Sequence, residues 1–117
     1  MSIDVQLLEQ VYQRFNARDM EGVLAALHPD VVMWVNGMEG GHVHGREDVR
    51  SYWTQLWATI DPHVEPTAFS IGADGETIVE VHSIVRSRGG TVLVDQMVGH
   101  TFRIEQGLIT RFEILEM

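Results

Sequence analysis

The spacing of apolar residues changes its period halfway along the chain. In Ile3–Asp19, Leu8, Val11, Tyr12 and Phe15 recur at the i, i+3, i+4, i+7 spacing of one helix face. Ser2 or Asp4 can cap the start of this helix. Asp19 then reads as the N-cap of a second helix, in which Met20, Val23, Leu24 and Leu27 repeat the stripe. Pro29, which has no backbone N–H, is expected to stop it. Val31–Val35 reads as a short strand, and Asn36–Gly45 as a glycine-rich loop. A third helix carries the clearest stripe: Val49, Tyr52, Trp53, Leu56, Trp57 and Ile60. Glu47 and Asp48 suit its positive end, and Asp61-Pro62 is expected to terminate it.

From His63 onward the pattern becomes one of strands. His63–Gly72 is the first, with Pro66 favouring an edge position. Asp74-Gly75 signals a hairpin turn, and Thr77–Ser87 follows as the next strand. Gly89-Gly90 turns into a long strand, Thr91–Ile104, in which Gly99 suggests a bulge. Glu105-Gln106-Gly107 leads into a last strand, Leu108–Leu115. Helices first and an antiparallel meander afterwards is an α+β layout.

Composition narrows the classes of function. A length of 117 residues predicts a single domain with a core of its own. The formal charge is −9, and the eight basic residues, all arginine, form no run. Phosphate backbones and anionic membranes require clustered positive charge, so neither is an expected partner. No apolar run approaches the length of a membrane span, and the first residues hold neither a basic region nor an apolar signal core. Without cysteine there are no disulfides or thiolate metal sites, which suits a cytoplasmic setting. The chain contains no Gly-x-Ser-x-Gly, phosphate loop or Rossmann fingerprint, and no cofactor is expected.

The candidate chemistry lies in the strands. Alternation puts Val94, Gln96, Val98, His100 and Phe102 on one face of the long strand. It puts Ile78, Glu80, His82, Ile84 and Arg86 on one face of the strand before it. If both faces line the concave side, Glu80, His82, Gln96 and His100 converge with Trp34, Tyr52 and Trp53. A histidine in an apolar cavity beside a carboxylate can act as a general base near neutral pH. Asp95 faces away from His100 by strict alternation, and a bulge near Gly99 would reverse that. Asn36, at the exit of the first strand, can offer a ligand a polar contact or simply open a turn. His42-Val43-His44 with Glu47 has some of the character of a metal motif, but Glu47 opens a helix, and the pair is read as loop histidines without a metal.

Several of these segments together are familiar. Two N-terminal helices precede His28-Pro29-Asp30-Val31-Val32-Met33-Trp34. A glycine-rich loop then ends in His44-Gly45-Arg46-Glu47 and runs into a helix with Tyr52-Trp53, and Gly107-Leu108-Ile109 precedes the last strand. Over nearly its whole length the chain resembles the nuclear transport factor 2-like superfamily, particularly its SnoaL-like branch of polyketide cyclases and ketosteroid-isomerase relatives. The resemblance implies a cone-like curved, antiparallel or mixed sheet wrapped around N-terminal helices, with an internal pocket. Cyclases of this type place an acid–base aspartate on a late strand; by this resemblance Asp95 can take that role, or it can simply pair with an arginine on the outer face. Ketosteroid isomerases use a carboxylate, a tyrosine and an aspartate; the matching positions here are Val35-Asn36, Val11 and Gly99, with Tyr12 one residue away. Fold-level likeness therefore does not carry that reaction over.

Both faces of the later strands are partly apolar, with Val79, Val81 and Val85 on one and Ile78 and Ile84 on the other. Only one of them can cover the helices, so a two-fold homodimer through the outer sheet face is expected, an arrangement the family often shows. Three readings of function follow. The first is a cofactor-free acid–base enzyme acting on a small apolar molecule, with His82 or His100 as base, Asp95 or Glu80 orienting it, and Trp34, Asn36, Tyr52, Trp53, Gln96 and Val98 shaping the pocket. The second is a non-catalytic ligand-binding or dimerisation module. The third, a metal-dependent enzyme, would need His42 and His44 to converge with another ligand.

Overall fold

The structure, a computed structural model, describes residues 3–34 and 42–116. Ser2 and Asn36, with the glycines at 37, 40 and 41, lie outside the described residues. Among the described residues three helices and six strands follow in the order α1 (Ile3–Asn16), α2 (Met20–Leu24), β1 (Leu27–Trp34), β2 (His42–His44), α3 (Arg46–Thr59), β3 (Ile60–Ile71), β4 (Thr77–Ser87), β5 (Val92–Glu105) and β6 (Leu108–Glu116). The strands form one curved sheet in the order β2-β1-β6-β5-β4-β3. β1 and β6 run parallel, and every other neighbouring pair is antiparallel. The architecture is the α+β, mixed-sheet cone that the resemblance implied. Among the described residues no helix is long and apolar enough to cross a membrane.

Local chemistry accounts for most of these boundaries. Asp19 caps α2, its carboxylate accepting from the Gly22 N–H at 3.0 Å. Gln106 and Gly107 both hold positive φ, 52° and 79°, as a two-residue β5–β6 hairpin requires. Gly45, at φ 85°, donates its N–H to Val31 O. This backbone conformation disfavours any residue with a Cβ. The neighbouring Arg46 Nε donates to Leu27 O at 2.7 Å. Together they fasten the start of α3 to β1, which gives the Gly-Arg-Glu segment its structural role.

The two proline stops fall differently from expectation. α2 ends at Leu24, and Leu27 and Pro29 already belong to β1. Proline is tolerated there because the β1–β6 pairing is interrupted between Leu27 and Val32, so no ladder needs its N–H. Likewise α3 ends at Thr59, and Asp61 and Pro62 lie in β3. β3 is an edge strand, where Pro62 and Pro66 cost no hydrogen bond on the open side. The ladder runs straight through Gly99, which pairs with Glu80 and Leu115. The register shifts of β5 lie at its two ends, opposite Val85/Arg86 and at Arg103/Ile104, so no bulge at Gly99 reverses its faces.

The core sits between the helices and the concave face. Leu8, Val23, Val49, Val79 and Val81 are each fully buried. Val81 pairs with Val98 and Val79 with His100, and directly paired residues share a face. The concave face of β4 is therefore Val79, Val81, Ser83 and Val85. Its convex face is Ile78, Glu80, His82, Ile84 and Arg86.

Candidate functional site

A cavity of about 570 Å³ lies between the helices and the sheet and opens to solvent. Its walls are mostly apolar, and its polar groups come from Tyr12, Tyr52, Trp53, Ser83, Gln96 and His100. Among the described residues no Asp, Glu or Arg lines it.

Two elements bring the central pair together. Tyr12 follows Leu8 by one helical turn on the inward stripe of α1. The end of that helix is fixed to β3, because the Asn16 amide donates to Val64 O at 2.8 Å and accepts from Val64 N at 3.0 Å. Arg18, just beyond the helix, donates to Pro62 O at 2.7 Å and pairs with Asp61. His100 projects from the centre of β5. The Tyr12 hydroxyl and His100 Nδ1 are 2.7 Å apart, and both side chains are buried, at 4% and 6% exposure. The rings are nearly parallel, with centroids 5.8 Å apart, and Phe112 meets the imidazole edge to face at 4.9 Å.

Burial keeps this pair uncharged at neutral pH. Loss of solvation pulls His100 from 6.5 down to about 4, and the same cause pushes the Tyr12 phenol well above its ordinary value. Tyr52, half-buried on the wall, is raised for the same reason. The pair can donate and accept hydrogen bonds, polarise an oxygen, or pass a proton. It cannot supply a strong base.

Five of the residues singled out from the sequence line this cavity: Tyr52, Trp53, Gln96, Val98 and His100. The others do not join them. His82 and Glu80 lie on the convex face, so they do not converge with His100. Asp95 is on the convex face as well, opposite Ile84, and His82 Nε2 reaches its Oδ1 at 2.6 Å. The histidine and aspartate do pair, but at the surface on the far side of the sheet. Trp34 is also convex-facing, 39% exposed, in tilted ring contact with His42 and covered by the Arg111 guanidinium. Asn36 falls outside the described residues. Among the described residues no group of three or more His, Cys, Asp or Glu is placed to hold a metal ion.

The sequence reading missed Tyr12, which it set one residue away from the position of interest. The signal was present: Tyr12 lies on the same stripe as Leu8, Val11 and Phe15, which faces the sheet. It also chose the wrong face of β4. The odd positions are the more uniformly apolar set, and the set without charges is the one that goes inward.

Comparison with known proteins agrees with this architecture. The family model of the SnoaL-like domain matches residues 8–112. A search of the curated proteins found no match. Among solved structures, an NTF2-like protein of unknown function from Burkholderia pseudomallei is 28% identical, with a TM-score of 0.86 over 100% of this chain and 92% of that one. TerC, co-crystallised with polyporic acid, is 24% identical, with a TM-score of 0.85 over 99% of this chain and 92% of that one. A Mycobacterium tuberculosis protein in complex with estradiol-17β-hemisuccinate is 21% identical, with a TM-score of 0.81 over 94% of this chain and 90% of that one. With a family model covering most of its length and the same fold in these structures, the chain belongs to the SnoaL-like domain family.

Proposed function

We propose that the cavity takes up a small, mostly apolar molecule, and that the chain is a cofactor-free enzyme acting on it by hydrogen bonding and proton transfer at His100. The observation that carries this reading is the Tyr12–His100 pair, two titratable groups 2.7 Å apart in a solvent-connected, largely apolar cavity. The cavity's size falls within the range of small-molecule sites. Proteins of the same fold were crystallised with polyporic acid and with a steroid ester, which are molecules of this size class. The test is a panel of polycyclic ketones and lactones assayed for turnover, alongside displacement of an apolar fluorescent dye. Turnover that disappears in His100→Gln while dye binding persists supports the enzyme. Failure of the dye and of every panel member to bind refutes the cavity reading.

A second reading, a binding module without catalysis, is favoured by one observation: no carboxylate lines the cavity among the described residues, and His100 is a weak base. Tight binding with no turnover across the panel would select it.

The convex face supports a two-fold homodimer. It carries Met97, paired with His82 and 39% exposed, beside the half-buried Ile78 and Ile84. Sedimentation equilibrium of the wild type and of Met97→Glu tests this, with a shift towards monomer expected in the variant.

A further inference from the structure

Resting on the reading of the cavity as a ligand site, we propose that Tyr12 is a positioning residue that fixes the tautomer of His100. In that tautomer Nε2 carries the proton and presents a hydrogen-bond donor to the ligand.

One contact joins the two groups, Tyr12 Oη to His100 Nδ1, and either partner can be its donor. If Nδ1–H donates to the phenol oxygen, the phenol's own proton needs another acceptor. Among the described residues it has none, because Nδ1 is the hydroxyl's only hydrogen-bond partner. That arrangement leaves two groups, the phenol proton and a bare Nε2, without a protein partner, which is unfavourable in side chains only 4% and 6% exposed. If instead the phenol donates to Nδ1, its proton is satisfied and the neutral imidazole must carry its single hydrogen on Nε2. That nitrogen has no protein partner among the described residues, and it is not sealed away from solvent. Since His100 lines the cavity, Nε2–H is left for whatever the cavity holds. The choice of donor by Tyr12 therefore sets the polarity of the site 88 residues further along the chain.

This arrangement has a consequence for ligand class. A neutral donor in a wall without charged side chains favours an uncharged molecule with an acceptor oxygen, such as a ketone, ester or ether. A carboxylate would also accept from Nε2–H, but its charge would be buried with no cation among the described lining residues.

The experiment combines two readouts on the full chain. Nitrogen-15 NMR of the histidine side chains reports the tautomer of His100 directly. Titration with 2-acetylnaphthalene, 2-ethylnaphthalene and 2-naphthoate reports ligand preference at matched size. The expected result has Nε2 protonated and Nδ1 bare in the wild type, with a mixture of tautomers in Tyr12→Phe. The ketone is expected to bind about fivefold to tenfold more tightly than the hydrocarbon, the worth of one net hydrogen bond. That preference should fall below about twofold in His100→Leu, and the naphthoate should bind more weakly than the ketone. A proton on Nδ1 in the wild type overturns the inference, as does equal binding of ketone and hydrocarbon, or a ketone preference that survives His100→Leu. In each of those cases hydrocarbon binding leaves the cavity reading standing. If none of the three probes binds, the cavity reading and the inference fall together.

Discussion

Burial of His100 predicts that the fold is acid-sensitive through this one residue. Its imidazole titrates near 6.5 when solvated and near 4 in the folded protein, because the buried cation loses its hydration. Above about pH 6.5 both states are neutral and the group contributes no pH dependence. Between that value and 4 the unfolded chain takes up a proton that the folded protein refuses, so stability falls as the pH falls. Below 4 the folded state is protonated too, and the loss is complete. Each pH unit of the gap is worth about 1.4 kcal/mol, so the whole loss is about 3 kcal/mol. That is a large fraction of the ~5–15 kcal/mol that holds a typical domain folded. The assay is urea unfolding at pH 7.5 and 4.5, for the wild type and for His100→Gln, whose amide can still accept from Tyr12. The remaining titratable groups are common to both proteins, so their contributions cancel in the comparison. The wild type should lose between about 2 and 3 kcal/mol more than the variant over that interval. Equal losses, or a His100 titration in the folded protein near 6.5, would refute the burial argument.

Other outcomes follow from the same structure. Leu8→Ala empties a fully buried site in the hydrophobic core, and should cost about 2–5 kcal/mol in chemical denaturation. Asp19→Ala removes the cap of α2 and should cost about 1 kcal/mol in the same measurement. His82→Ala breaks a surface pair. It should change stability by less than about 1 kcal/mol at moderate salt and leave dye binding in the cavity unaltered by fluorescence titration.

Much of this protein could be read along the chain. The helical stripe of Leu8, Val11, Tyr12 and Phe15, the cap at Asp19, and the turns at Asp74-Gly75 and Gln106-Gly107 all follow from local periodicity and backbone preference. β4, expected over Thr77–Ser87, has those bounds in the structure. The grouping of residues into faces was equally legible, since alternation along a strand is a property of the backbone. Gln96, Val98 and His100 do share a face, as do Glu80 and His82.

What alternation cannot say is which face turns inward. That depends on which residues of neighbouring strands meet, and register arises only when the strands pair. Val81 opposite Val98 commits the odd positions of β4 to the concave side with His100, and so carries His82, Glu80 and Asp95 to the convex side. The prolines show the same limit from another direction. Whether Pro29 or Pro62 ends a helix or sits in a strand depends on whether a neighbour needs the missing N–H, which no local sequence states. The partnership of Tyr12 and His100 is the clearest case. The sequence by itself determined an inward helical tyrosine and a histidine within a strand. Only the packing of α1 across β5 placed the phenol on Nδ1. Local propensity acts over a few residues, whereas the desolvation and hydrogen bonding that define this site act between segments far apart in the chain.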